Sequence, residues 1–492
     1  MKHQRPVDLT AIAYQAMEKY GFTPRFPDTV LREVEAMAGD HPGYGREETS
    51  DLRALLWSSI DNSDSRDLDQ IEYCEAGGNG EITVSVAIAD VDRFVRKDTR
   101  TDRHAAHNGT SVYLGVRTFP MLPDRLSADI SSLLPGQERA AVVIGYTVLL
   151  DGAIRHGRIF RALVANKAKL VYEEIGDWLE EAGPIPRAVR DTPGLEEQVR
   201  LQHEVAQRLR RRRMDEGALD LETLEAETVM EEGLVKDLVI QRQNPARQLI
   251  EEFMVAANET MVHHLADAGV PLVQRIVRVP KHWDGIVETA AGYGTRLPKN
   301  PDSKALARFL DRQKAADPER FPDLSLTVVK LMGPGEYVPF VPGEVPIGHF
   351  ALAVLDYTHS TAPNRRYVDV INQRLIKSVI DRQPAPYTAP ELANLAAWLT
   401  GRDKAAQKAE RFMRKAAAAV LLRNRIGESF DAIVTGAAEK GVYARLIAPP
   451  AEGRVVQGGG NLKVGQKVRV RLLATDPYNG FIDFACVGRR KG

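Results

Sequence analysis

Cysteine is almost missing from this chain: Cys74 and Cys486 are the only two among 492 residues. Two thiols so far apart in sequence make neither a disulfide framework nor a thiolate zinc site, and the natural reading is a reducing compartment. Long apolar runs are missing too. No stretch approaches the roughly 18 apolar residues that a membrane-spanning helix needs, and the best candidate, AAVVIGYTVLL at 140–150, is strand-length. The opening residues, MKHQRPVDLTAIAYQAMEKYGF, lack the apolar core of a secretory signal. These absences predict a cytoplasmic protein with no membrane partner. There is no internal repeat, and the nearest thing to low complexity is the run Arg210 to Arg213. Net charge is only −1, but it is unevenly spread. Residues 401–492 hold 18 Lys and Arg against 8 Asp and Glu, a local +10 that leaves −11 for the first 400. A basic tail on an acidic body suits a polyanion at one end and cation-holding carboxylates at the other; a solvated basic helix is the plainer alternative.

What is present is the make-up of an ordinary globular protein, 43% apolar and 27% charged, in a chain too long for one core. Two short helices are expected near 9–20 and 27–38, N-capped by Asp8 and Asp28 and separated by GFTPRFPD with its two prolines. Such a pair fits a helix-turn-helix-like module or a simple packing unit. From Leu52 to about 385 strands and helices alternate. ITVSVAIADV (82–91) and AAVVIGYTVLL (140–150) read as buried strands, and 246–268 reads as a long, largely buried helix. Residues 402–425 read as a basic helix. The strand-rich remainder suits a small OB-type barrel, a fold whose face commonly binds single-stranded nucleic acid. The expected class is therefore α+β multidomain: a helical N-terminal module (1–45), a large mixed α/β domain (46–400), a basic connecting helix (401–425) and a C-terminal OB-fold β-barrel (426–492).

The most informative stretch is IDNSDSRDLDQIEY at 60–73. Asp61, Asp67 and Asp69 cluster just before a strand region, where oxygen ligands can hold one or two hard divalent cations. Asp, Asn and Ser also build turns by bonding their own backbone, so an acidic loop of this kind can be a turn and nothing more. An EF-hand starting at Asp61 fails because its sixth position, which must turn on Gly, is Arg66.

IDNSDSRDLDQ, followed by VAIADV, resembles the hallmark motif of the ribonuclease II and ribonuclease R (RNB) family. The likeness continues in order through 109–136, 166–179, 247–259 and YTHSTAPNRRYVDVINQRL at 357–375, and covers the chain from about residue 24 onward. The resemblance implies a 3′-to-5′ exoribonuclease that processively hydrolyses single-stranded RNA with a free 3′ end. Its products would be nucleoside 5′-monophosphates and a short end product, and it would work as a monomer with one or two Mg2+ ions, Mn2+ substituting. Asp61, Asp67 and Asp69 match the family's catalytic and metal-holding aspartates, and Gln70 stands where the family has a fourth. Arg365 matches the arginine that steadies the scissile phosphate, with Arg366 beside it as a further RNA contact. Tyr113 matches the aromatic that stacks on the 3′-terminal base, and Tyr172 and Glu251 match residues that sense the ribose. Leu221 occupies the place of a phenylalanine at the far end of the stacked bases. The C-terminal barrel resembles the family's S-one-type domain, with Phe430, Tyr443, Arg469 and Arg471 as its RNA contacts. The two cold-shock barrels usual in the family have no room here. Gln70 opens an alternative: a catalytically weakened member that binds RNA without cutting it. Glu72 is a candidate to compensate for the missing charge.

Overall fold

A computed structural model describes residues 7–37, 49–222, 226–231, 234–240, 243–438 and 441–489. The expected boundary at 45/46 lies outside the described residues. At the centre is a seven-stranded mixed sheet in the order Ser50–Asp51, Ile154–Ala165, Glu138–Val148, Ile82–Ala89, Gln70–Ala76, Ser58–Asp61, Ala168–Val171. The four inner neighbours pair antiparallel, whereas the short strand at each edge runs parallel to its partner. The run 82–91 forms a strand because Val84, Val86 and Ile88 alternate into the core; the run at 140–150 does so from Glu138 to Val148.

The helix Pro245–Asp267 lies on this sheet as the periodicity predicts, started by the Asn244 side chain accepting from Arg247 N–H. A separate helical lobe, Trp283–Gly292, Ser303–Ala316 and Phe321–Met332, packs around Trp283, Phe309 and Phe321. The basic helix begins earlier than expected. It runs 34 residues, Ala389–Leu422, because Thr388 and Glu391 form a reciprocal capping box with Pro390 in the first turn. Its alanines Ala406, Ala409, Ala416 and Ala417 admit the N-terminal helix Leu9–Lys19, which buries Leu9, Ile12, Ala16 and Met17 in the same cluster. Asp8 caps that helix as expected. Asp28 does not cap the next one: the cap position is Pro27, and Asp28 is the first residue of Asp28–Glu35.

The C-terminal segment closes into a five-stranded barrel in the order Ser429–Ala438, Gly441–Leu446, Glu452–Gln457, Phe481–Arg489, Lys467–Asp476. Phe430, Ala432, Val434, Val468, Val470, Leu472 and Phe484 fill it. The α+β class, with its mixed domain and terminal OB-type barrel, is thus the observed one. No helix among the described residues is long and apolar enough to cross a membrane.

One buried network fixes the helix Tyr367–Ile380 and with it the loop that precedes it. Arg374 is 4% exposed. It bonds Asp92 at 2.7 Å, Asp102 at 2.7 Å, the Tyr387 hydroxyl at 2.6 Å and the Val95 carbonyl. Removing it leaves the buried Asp102 without its counter-charge, while Asp92 keeps Lys377 at 3.0 Å, so Arg374→Met should cost about 3–5 kcal/mol. Denaturant unfolding followed by fluorescence checks this; an unchanged midpoint would refute the account.

Candidate active site

The strand Ser58–Asp61 ends on Asp61, and the chain turns through 62–69 before re-entering the sheet at Gln70. Asp61 Oδ1 accepts the Asn62 N–H at 2.7 Å and the Ser65 hydroxyl at 2.8 Å. The turn and the cation readings of this loop are therefore compatible, since one carboxylate oxygen makes the turn. Two side chains from elsewhere fasten the loop. Lys169 Nζ donates to the carbonyl oxygens of Ser63 at 2.9 Å and Ser65 at 2.5 Å. The Ser132 hydroxyl accepts the Leu68 N–H at 2.9 Å and donates to the Arg66 carbonyl at 2.7 Å.

Asp69 joins this acidic loop to the loop 361–366. Its carboxylate is 3% exposed; Oδ1 accepts the Asn364 N–H at 2.8 Å, and Oδ2 stands 3.5 Å from Arg365 Nε. The second loop is held in turn. The Ser131 hydroxyl lies 2.6 Å from Asn364 Oδ1, Asp369 accepts the Ala362 N–H at 2.8 Å, and the Arg365 carbonyl accepts the Ser111 N–H at 2.9 Å. Arg365 keeps 44% of its side chain exposed. It is anchored by its backbone, and its guanidinium leans on Asp69 while staying half-exposed.

The charges are unbalanced. Burial pushes the Asp69 carboxyl up to about 8, against the pull of Arg365 and with Asp67 adding to the push. Asp67 is raised as well, first by burial and then by Asp61, again against Arg365. Glu72, on the same strand face as Gln70, is fully buried, and neither of its oxygens has a hydrogen-bond partner among the described residues. Burial and then Asp61 drive its carboxyl well up. An all-oxygen donor set, mutual repulsion and an orphaned buried carboxyl fit a hard divalent cation, which would supply the missing positive charge. The three aspartates do not close on a point: among the described residues, the one group of three such side chains with all ligand atoms within 4.8 Å is His156, Glu259 and His263. Wider spacing suits an ion whose shell is completed by water and phosphate oxygen.

Tyr113 comes from the two-residue strand Val112–Tyr113, which follows Gly109. Gly109 ends the helix Arg100–Asn108 at φ 72°, and a Cβ there would meet Arg402 Cβ at 2.9 Å. Tyr113 as a whole is 45% exposed; its hydroxyl is raised first by burial and, against Arg365, by Asp67, Asp69 and Asp61. Tyr172 follows Val171, the residue paired with Asp61, and the Arg247 guanidinium sits 4.4 Å over its ring. Arg247 also bonds Asn62 Oδ1 at 3.2 Å and Glu173 at 2.8 Å, tying the acidic loop to the long helix. Glu251, one turn on, pairs with Arg213 at 3.1 Å.

The family description "RNB domain" matches residues 49–382, and "RNase II-type exonuclease C-terminal S1 domain" matches 428–487. The chain belongs to the RNB family. A ribonuclease R from Aquifex aeolicus is 28% identical over 504 residues, covering 96% of this chain and 69% of that protein. Mycoplasma genitalium RNase R, solved with ribose-methylated single-stranded RNA, has a TM-score of 0.88 at 22% identity, covering 98% of this chain and 78% of that one. The fold is also shared, with a TM-score of 0.72 at 17% identity over 95% of this chain and 57% of that one, by yeast Ssd1, a pseudonuclease.

Not every expected residue joins this RNB site. Arg366 is committed to Asp369 at 2.7 Å and shapes the loop from within. Leu221 packs on the helical lobe. Phe430 is corrected outright: it is 6% exposed and belongs to the barrel's core, because residues 430, 432 and 434 share the inward face of their strand. Tyr443 lines a groove against the long C-terminal helix with Lys408, Arg411 and Lys415, whereas Arg469 and Arg471 are exposed outside that groove. Sequence reasoning missed Ser132, Lys169, Asn364 and Arg247. Only the family blocks containing them gave a signal.

If Ser132 holds the acidic loop, Ser132→Ala strands a buried N–H and a carbonyl. Stability should fall by about 1–3 kcal/mol, and hydrolysis of RNA should fall further than stability explains. A variant with wild-type turnover on labelled RNA would show that the loop needs no such fastening.

Proposed function

We propose that this RNB-family chain is a metal-dependent hydrolase that shortens single-stranded RNA from its 3′ end, processively, releasing nucleoside 5′-monophosphates. The observation that carries the reading is the meeting at Asp69 of the acidic loop and the arginine loop, which gives Asp67, Asp69 and Arg365 one shared electrostatic surrounding. Asp61, Asp67 and Asp69 would hold the cation, with Gln70 or Glu72 beside them. Bound magnesium, or manganese in its place, would ease ionisation of an attacking water and offset charge on the departing oxygen. Arg365, always charged and half-exposed, donates to the phosphate as negative charge gathers on it. Tyr113 offers an exposed ring on which the terminal base can stack, worth roughly 1–3 kcal/mol and indifferent to base identity. Tyr172, steadied by Arg247, and Glu251, steadied by Arg213, would read a ribose hydroxyl. The Aquifex and Mycoplasma relatives, both named as RNase R, support the same activity here. The RNA-binding alternative rests on Gln70 and on the fold's occurrence in a pseudonuclease. Against it stand three retained aspartates and a retained arginine.

Incubating the protein with end-labelled single-stranded RNA and magnesium, with EDTA as the control, should release mononucleotides. Asp69→Asn should reduce that release by several orders of magnitude while a gel shift of the same RNA persists. Full activity in this variant would remove the catalytic assignment.

Restoring the fourth carboxylate gives a second test. Gln70→Asp should lower the magnesium concentration needed for half-maximal rate. An unchanged or higher requirement would mean that Gln70 leaves no deficit to fill.

A further inference from the structure

Far along the long helix, Glu259 and His263 stand four residues apart and so project from one face. The strand Ile154–Ala165 brings His156 opposite them. The ligand atoms of all three lie within 4.8 Å of one another, and the two imidazoles stack with centroids 4.1 Å apart at 24°. The tautomer of His156 can be read from its neighbours. The Thr260 hydroxyl spends its proton on the Ala256 carbonyl at 2.9 Å, so at 3.0 Å from His156 Nδ1 it accepts. Nδ1 therefore carries the hydrogen, and Nε2 is left as a bare lone pair. This is the arrangement in which a metal-ligating histidine is held by its second nitrogen. Glu259 has no hydrogen-bond or ion-pair partner among the described residues. Asp356 Oδ2 stands 3.6 Å from His263 Nε2, and Glu259 and Asp356 both line a cavity of about 320 Å3.

We propose that His156, Glu259 and His263 form a second metal site, separate from the aspartates, for zinc or another borderline divalent transition ion, with Asp356 as its supporting carboxylate. Two imidazole nitrogens and one carboxylate are the ligand set of such ions, while magnesium demands oxygen. Arg212 and Arg213 line the same cavity and act on Glu259 from a distance, but neither pairs with it, so among the described residues Glu259 lacks a close positive charge. A cation supplies it and joins the long helix to the sheet two turns beyond Glu251.

The test uses the full chain, stripped with EDTA, dialysed, and titrated with zinc alone and with cobalt alone. One ion should bind per chain, cobalt should give the visible absorption of a low-symmetry nitrogen and oxygen site, and excess magnesium should not displace it. Asp69→Asn should keep this binding, His263→Gln and Glu259→Gln should abolish it, and Asp356→Asn should weaken it roughly 10-fold. Circular dichroism identifies any variant that fails to fold, and either ligand substitution alone then decides. Unchanged zinc stoichiometry in the folded ligand variant, loss of the ion in Asp69→Asn, or no zinc bound by the folded wild type would each overturn the proposal.

Discussion

The active-site geometry depends on one buried carboxylate. Asp69 is 3% exposed, and its two oxygens face two different duties: Oδ1 closes on the Asn364 N–H, and Oδ2 looks toward Arg365. Its carbonyl meanwhile accepts the Ala89 N–H at 2.9 Å, continuing the sheet. A carboxylate sunk this deep beside another costs free energy, as the upward push on both Asp67 and Asp69 records. The cost is tolerable because the surroundings are over-determined. Ser131, Ser132, Asp369 and the Arg374 network each hold one side of the two loops, so neither can swing away to relieve the repulsion. Strain held this way is what prepares a site for a cation and a phosphate.

The helix Pro245–Asp267 carries this rigidity outward. Arg247, Glu251, Val255, Glu259 and His263 recur every four residues, and because each step overshoots a full turn, the stripe winds roughly 160° around the helix. Its first half reaches the acidic loop, Tyr172 and Arg213; its second half reaches His156 and the sheet. One helix thus serves both the surroundings of the aspartates and the histidine cluster. An ion at the latter would stiffen the support of the former.

Much of this was legible in the sequence, and the exceptions have physical reasons. The strand 82–89 and the helix 245–267 announced themselves because periodicity over eight or more residues leaves little choice. The capping box Thr388-x-x-Glu391 with Pro390 was equally readable, yet the clustered charges after residue 401 drew the helix start there instead. Phe430 was misread because an aromatic in a predicted nucleic-acid barrel invites a functional role, although its phase with Ala432 and Val434 already placed it inside. Asp28 lost its cap role to the proline before it. Ser132, Asn364 and Arg247 could not be read locally at all. Their partners are 64, 295 and 185 positions away, and only the folded chain makes them neighbours.

The fold alone does not decide whether such a site cuts. A pseudonuclease shares it, so the difference must lie in charge and ligands. In this chain a lost carboxylate and a nearby spare one stand side by side. Gln70 removes one negative charge from the strand face, but two positions on, Glu72 offers a carboxyl that is buried, without a partner among the described residues, and next to Asp61 in electrostatic reach. Burial and Asp61 both push that carboxyl upward, and a nearby cation would push it back toward the ionised form. The charge that Gln70 lacks thus has a carboxyl within electrostatic reach of Asp61 that could replace it, which favours a working centre over a lapsed one.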